Sequence, residues 1–232
     1  MGVQSSFGFT LGRMEKGKLN KITDVPGVRV GHVTRHEGGI NTGVTAILPH
    51  TGDIFHDKCP AASHVINGFG KSIGLVQVNE LGTIETPLLL TNTLSVGTAA
   101  TALVKYMLER NADIGCDTGT VNPMVFECND GHLNDIRGLH VTEQNALDAL
   151  ANAADDFEEG AVGAGSGMSC YSLKGGIGSA SRVFELYGNK YTVGALLLTN
   201  FGTLRDLTIG GERVGERLYQ KKEAEKAAAE QQ

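Results

Sequence analysis

Residues that could bind a metal ion lie close together in one polar stretch of the chain. His50, His56, Asp57 and Cys59 carry side chains of the types that coordinate metals. A metal-dependent hydrolase that uses this loop is therefore one hypothesis. A solvated polar loop explains the same residues, and their spacing does not separate the two interpretations.

A second group of polar residues directly follows an apolar run at 124–126. These residues are Glu127, Asn129 and Asp130. Polar side chains at the end of a buried strand often project into a functional site. The Asn-Asp-Gly sequence at 129–131 is equally typical of a turn, so an Asx turn stays open as the alternative.

Three glycine-containing motifs resemble nucleotide-binding or nucleophile loops, and each lacks a required part. The Gly-Lys-Ser sequence at 70–72 resembles the end of a phosphate-binding loop, but Val65 stands where that motif needs its first glycine. A dinucleotide loop at 163–167 would need its third glycine at Met168. Ser72 fits the G-x-S-x-G pattern of a nucleophile elbow, but no buried strand precedes it.

The charge and the cysteine distribution exclude several classes of protein. With 26 acidic and 20 basic residues, the formal net charge is −6, without the basic excess that nucleic-acid binding needs. No apolar run reaches the roughly 18 residues of a membrane span, and the first residues lack the apolar centre of a signal peptide. We therefore expect a cytoplasmic protein without nucleic-acid or membrane partners. The four cysteines form no C-x-x-C pair, so neither a zinc motif nor a redox motif is supported. They are Cys59, Cys116, Cys128 and Cys170.

Strands and helices that would position these residues alternate along the chain. Strands are predicted near 28–33, 42–49 and 73–78, and a short helix is predicted over 60–71 because Pro60 is tolerated in a first helical turn.

The second half of the chain carries the clearest helical pattern. Apolar residues recur at helical spacing from Val96 to Arg110, and a second helix is predicted over 142–157 with Thr142 as its N-cap. A strong strand follows at 191–199. We predict one α/β domain over residues 1–215 and a flexible or helical C-terminal tail over 216–232.

Four segments in order give the chain a specific resemblance to a known family. The chain resembles the L-aminopeptidase D-amidase/D-esterase family, which includes the β-peptidyl aminopeptidases. This resemblance implies a four-layered αββα sandwich like that of the N-terminal-nucleophile hydrolases, with different connectivity. The segments that carry it are 22–32, 127–135, 174–182 and 192–200.

The resemblance also implies a partner chain. Members of the family cut themselves once, and the first residue of the smaller chain, usually Ser, becomes the nucleophile. The free α-amine of that residue, with a pKa of about 7.7–8, can assist its own hydroxyl. This chain resembles the larger α subunit, so we expect the cleavage point at Gln232, a small β subunit with an N-terminal Ser or Thr, and a homo-oligomer, suggested to be a tetramer of αβ units.

Three residues acquire roles from the resemblance. Asn200 matches the oxyanion-hole asparagine, and Glu127 matches the carboxylate that binds the α-ammonium of the substrate. Asn129 stands where some members have a tyrosine at the reacting centre. The implied function is an aminopeptidase or amidase that acts on short peptides, amides or esters through an acyl-enzyme, with no cofactor and no metal. The alternative is a non-catalytic relative that binds a small amine-bearing ligand.

Overall fold

The structure is a computed structural model that describes residues 12–229. Its helices are α1 (Leu75–Leu81), α2 (Val96–Arg110), α3 (Glu143–Ala151) and α4 (Val214–Ala229). Its strands are β1 (Arg29–Glu37), β2 (Ile40–Leu48), β3 (Cys59–Pro60), β4 (Thr83–Ile84), β5 (Leu88–Asn92), β6 (Met124–Cys128), β7 (Ser169–Cys170), β8 (Leu173–Lys174), β9 (Ile177–Leu186) and β10 (Asn189–Leu198).

The main sheet has four strands in the order β1-β2-β5-β6, and only β5 and β6 run parallel to each other. Helices α2 and α3 pack on one face of it, because their small and apolar residues recur at helical spacing. Gly31 of β1 permits the closest approach, since a Cβ at this position would lie 2.2 Å from the Ala149 carbonyl oxygen of α3. Buried side chains between sheet and helices include Val44, Ala46, Leu89, Leu103, Val125 and Ala146.

Side-chain caps fix the start of α3 and the short 3-10 turn over Thr93–Ser95 that leads into α2. The Asn92 Oδ1 atom accepts hydrogen bonds from the backbone N–H groups of Leu94 and Ser95, at the end of β5 and just before α2. Thr142 caps α3 in a reciprocal pair with Asn145. The predicted N-cap and the predicted helix over 96–110 are thus confirmed.

Strands β9 and β10 form a separate antiparallel hairpin on the other side of the main sheet. One face of the hairpin packs inward through Ile177, Leu196 and Leu198, against a cluster that includes Val30 and Leu90. The layer order is therefore helix, sheet, sheet. The outer face of β10 stays open to solvent, with Val193 56% and Leu197 52% exposed.

Two predicted elements are wrong, and the helix predicted over 142–157 already ends at Ala151. Residues 60–71 form no helix: Pro60 ends strand β3, and the residues after it are irregular. The predicted strand at 73–78 is replaced by helix α1, which begins at Leu75. Ile73 does pair with Val125, but Gly74 then adopts a φ of +99°, a left-handed conformation that ends an extended segment. In helix α1 that follows, Val78 is buried whereas Val76 and Leu81 are exposed.

The C-terminal segment is helical up to Ala229, and Gly215 is its one buried residue. The predicted cleavage point at Gln232 lies outside the described residues, and so does the start of the predicted domain over 1–215, which stays a prediction. Within residues 12–229 no helix is both long enough and apolar enough to cross a membrane.

Candidate active site

Glu127 lies near the carboxyl end of β6, where the strand becomes only partly buried. Its Oε1 atom accepts a hydrogen bond of 3.1 Å from the Lys71 backbone N–H, and its Oε2 atom accepts one from the Thr93 hydroxyl. Thr93 directly follows β5, which pairs with β6 in parallel. Each carboxylate oxygen has a further lone pair, so the oriented group can still accept hydrogen bonds from a cation.

Asn129 forms the Asx turn that the sequence left open. Its side-chain oxygen accepts a 2.9 Å hydrogen bond from the Gly131 N–H. The Asn129 carbonyl oxygen accepts a 2.6 Å hydrogen bond from the side-chain amide of Asn200. One contact therefore joins the turn after β6 to Asn200, two residues after the end of β10, and brings Asn200 beside the segment that carries Glu127.

The backbone around Asn200 is held from both sides. The Thr199 N–H donates to the Gly176 carbonyl oxygen at 3.3 Å, and the Tyr171 N–H donates to the Phe201 carbonyl oxygen at 2.7 Å. The rings of Tyr171 and Phe201 also pack edge to face, 4.9 Å apart. The Asn200 amide carries two N–H groups, and its bond to Asn129 uses one of them. The second N–H makes no hydrogen bond within the described residues.

Asp130, fully buried, fixes the turn between these residues. Its two oxygens accept hydrogen bonds from the Thr42 hydroxyl at 2.6 Å and the Asn134 amide at 3.0 Å. Asn92, the cap before α2, also donates to the Thr42 hydroxyl. Burial raises the pKa of the Asp130 carboxyl, against the opposing effect of these hydrogen bonds. The network connects β2, β5 and the turn that carries Asn129.

Cys128 is adjacent to the site and is not suited to be a nucleophile. Its thiol lies 3.6 Å from the Leu198 carbonyl oxygen. Burial raises the pKa of the Cys128 thiol to about 11, and the nearby Glu127 carboxylate adds to the shift. The thiol is therefore protonated at neutral pH, and thiolate chemistry is disfavoured.

A cavity of about 780 Å³ opens beside Asn200. Lys174 lines its wall, and the Lys174 ammonium donates to the carbonyl oxygens of Gly165, Met168 and Gly175 at 2.8–3.1 Å. Desolvation lowers the pKa of Lys174. The ammonium thus ties the two glycine-rich segments together at the cavity wall.

The histidines of the polar loop form hydrogen bonds with other residues of this chain. The two ring nitrogens of His56 contact Asp53 at 2.6 Å and Asp113 at 2.9 Å. His50 contacts the Asp57 carbonyl oxygen and the Gly52 N–H. Across the residues that the structure describes, no three His, Cys, Asp or Glu side chains gather as a metal site.

Thr93 and Lys71, which orient Glu127, were not predicted from the sequence. A signal for Thr93 was present, because Thr93 follows an apolar run just as Glu127 does, and the carboxyl ends of parallel neighbours meet at one edge. Lys71 acts through its backbone N–H, which no side-chain pattern reveals. Ser72, one position on, follows an irregular segment instead of a buried strand, as expected from the sequence.

Comparison with known proteins identifies relatives of the whole described fold. The chain is 42% identical over 212 residues to the beta-peptidyl aminopeptidase BapA of Sphingosinicella microcystinivorans. The alignment covers 87% of this chain and 52% of that protein. The crystal structure of the PH0078 protein from Pyrococcus horikoshii OT3 superposes with a TM-score of 0.92 at 56% identity, over 94% of this chain and 64% of that one. The chain therefore spans about half the length of the curated relative.

A third relative bears on the fold class. The L-aminopeptidase D-Ala-esterase/amidase from Ochrobactrum anthropi, described as a variant of the Ntn hydrolase fold, superposes with a TM-score of 0.82 at 37% identity, over 92% of this chain and 62% of that one. This match confirms the predicted fold class. The sequence model of Peptidase family S58 matches residues 20–230. The family resemblance is confirmed: this chain belongs to Peptidase family S58.

Proposed function

We propose that this chain is the large subunit of a self-cleaved aminopeptidase that hydrolyses short peptides, amides or esters with a free N-terminal amine. The observation that carries the proposal is the hydrogen bond between Asn200 and the turn after Glu127, because it places an amide donor near an oriented carboxylate. In this proposal the Glu127 carboxylate binds the substrate ammonium. The sequence similarity to a beta-peptidyl aminopeptidase supports the same reaction class.

The nucleophile is the N-terminal Ser or Thr of a second chain, released by self-cleavage of a precursor. Its hydroxyl oxygen attacks the substrate carbonyl carbon, and the hydroxyl proton passes to the free α-amine of the same residue. The second N–H of the Asn200 amide stabilises the resulting oxyanion, and Asn129 contacts the reacting centre. The tetrahedral intermediate collapses when the leaving amine takes the proton. Water then hydrolyses the acyl-enzyme, with no cofactor in the sequence of steps.

The second chain would also cover the open face of the β9–β10 hairpin. Val193 and Leu197 expose apolar surface there, beside Tyr191 on the same strand face. Contiguous exposed apolar surface is typical of an interface. The fourth layer of the sandwich would then come from the second chain, and αβ units would assemble further into a homo-oligomer. We place the enzyme in the cytoplasm, where its four unpaired cysteines would stay reduced.

The role of Glu127 is tested with Glu127→Gln in the complete gene product. A hydrogen bond to a charged group contributes about 1.5–3 kcal/mol, so kcat/KM on amino-acid amides with a free amine should fall about 10- to 100-fold. The N-acetylated amides should lose much less. Glu80→Gln, on the exposed surface of α1, is the matched control. An equal loss on free and acetylated substrates would remove Glu127 from amine recognition.

A further inference from the structure

A second cavity, of about 560 Å³, borders Glu127 on the side of the irregular segment before α1. Ile73 pairs antiparallel with Val125 at the edge of β6, and Lys71 then donates to the Glu127 carboxylate. The preceding residues continue past the end of the sheet and form the cavity wall. At Gly70, which lines the cavity, a Cβ atom would lie 3.7 Å from Glu127 Oε1, so the cavity and the carboxylate adjoin.

The lining of this cavity has a definite chemical character. Val65, Ile66, Leu75 and Phe126 supply apolar surface, and no Asp, Glu, Lys or Arg is among the lining residues that the structure describes. The polar lining residues are Ser63, His64, Asn67 and Ser72. Ile66 is 93% and Val65 53% exposed, and these neighbouring residues form a contiguous apolar patch in the cavity wall. A ligand group that covers them gains from burial of apolar surface.

We propose that this cavity binds the side chain of the substrate's N-terminal residue and selects large apolar side chains over small or charged ones. The proposal rests on the proposed role of Glu127. An ammonium held by Glu127 places the adjoining substrate carbon within a few ångströms of the carboxylate, so its side chain must enter a space that borders Glu127. The cavity beside Asn200 lies where the reacting carbonyl and the leaving group are expected, and the cavity lined by Val65 and Phe126 provides the other space.

The experiment measures kcat/KM of the complete, processed protein on p-nitroanilides of Ala, Leu, Phe and Lys. Val65→Asp places a carboxylate in the wall at an exposed position, which limits damage to the fold. Val76→Asp is the matched control, because Val76 is 84% exposed on α1 and does not line the cavity. Thermal unfolding of each variant checks that the fold is kept.

We expect Val65→Asp to lower the Phe-to-Ala ratio of kcat/KM at least tenfold, in the range found for single changes in hydrophobic pockets, and to raise the Lys-to-Ala ratio. Val76→Asp should leave both ratios within twofold. A second variant, Ser72→Phe, fills the cavity and should impair Phe and Leu substrates while it spares Ala.

Two different failures can be told apart. If the wild-type protein is active and neither Val65→Asp nor Ser72→Phe changes the ratios, the cavity assignment is wrong and the proposed function stands. If the wild-type protein cleaves none of the anilides and no amide with a free amine, both proposals are overturned.

Discussion

The main sheet and the β9–β10 hairpin are built from similar strands but differ in how far this chain completes them. In the main sheet, Leu89 and Val125 are fully buried beneath α2 and α3. In the hairpin, one face packs on that sheet, and the other exposes Val193 and Leu197. The main sheet is thus covered on both faces by this chain, whereas the open hairpin face fits the second chain that we propose.

The candidate site lies where these two regions meet. Glu127 belongs to the completed sheet, whereas Asn200 follows the last strand of the unfinished hairpin. Their connection is the hydrogen bond from Asn200 to the Asn129 carbonyl oxygen. Changes on either side of this connection therefore test whether the two regions act as one site.

The largest expected effect comes from Asn200→Ala, which removes the proposed oxyanion donor on the hairpin side. Loss of one such donor lowers kcat by about 10²–10³. Steady-state kinetics on the complete protein, with circular dichroism to confirm folding, measures this effect. Asn189→Ala, an exposed residue at the other end of β10, is the control and should keep normal turnover. Near-normal turnover of Asn200→Ala would show that Asn200 is not the oxyanion donor.

Leu-to-Ala substitutions in the two regions test whether each region is buried in the complete protein. Leu103→Ala in α2 creates a cavity in the completed core and should lower the free energy of unfolding by about 2–5 kcal/mol. Leu197→Ala on the open hairpin face should cost less than about 0.5 kcal/mol if the face stays exposed in the complete protein. We predict a cost above about 2 kcal/mol, because the proposed second chain would bury the face. Denaturant unfolding of the complete protein decides between the two values.

A smaller effect is expected from the turn that joins the regions. Asp130→Ala leaves the Thr42 hydroxyl and the Asn134 amide without their buried acceptor. An unsatisfied buried donor costs about 1–3 kcal/mol, and the displaced turn should lower kcat as well. Asp117→Ala, which removes an exposed carboxylate, is the control and should change neither quantity. Unchanged stability of Asp130→Ala would show that the network does not hold the turn.

The smallest effect is expected far from the site, at His56. Hydrogen bonds to the carboxylates of Asp53 and Asp113 raise the pKa of His56 above its ordinary value of 6.5. Folding therefore favours the protonated ring, and the stabilisation is full below about pH 6.5 and disappears as the pH rises through the raised folded-state pKa. The Tm difference between wild type and His56→Gln should be larger at pH 6 than at pH 8.5.

His36→Gln, which changes an exposed histidine on β1, is the control for this series. A Tm difference for His56→Gln that is the same at both pH values would contradict the assigned protonation.

The sequence predicted the elements whose signals are local. The apolar spacing over 96–110 and the Thr142 cap both correspond to observed helix features. The predictions for 60–71 and 73–78 were wrong, because the structure there depends on Gly74 and on the pairing of Ile73 with the distant Val125. Local propensity carries no information on such a partner.

The site was predictable to a similar extent. Its main residues came from the family resemblance and from one strand end, and the Asx turn at Asn129 was an open alternative. The contact between Asn129 and Asn200 joins positions far apart in the chain, and the orientation of Glu127 depends partly on a backbone N–H. Neither feature leaves a pattern in one sequence, because both depend on how the hairpin packs on the sheet.

The most direct test of the account is the intact mass and N-terminal sequence of the natively purified complete protein under denaturing conditions, with its aminopeptidase activity measured on the same sample. We predict two chains from one precursor, of which the smaller begins with Ser or Thr. A single uncut chain with full activity would contradict self-cleavage. A single uncut chain with no activity would favour the non-catalytic amine-binding alternative.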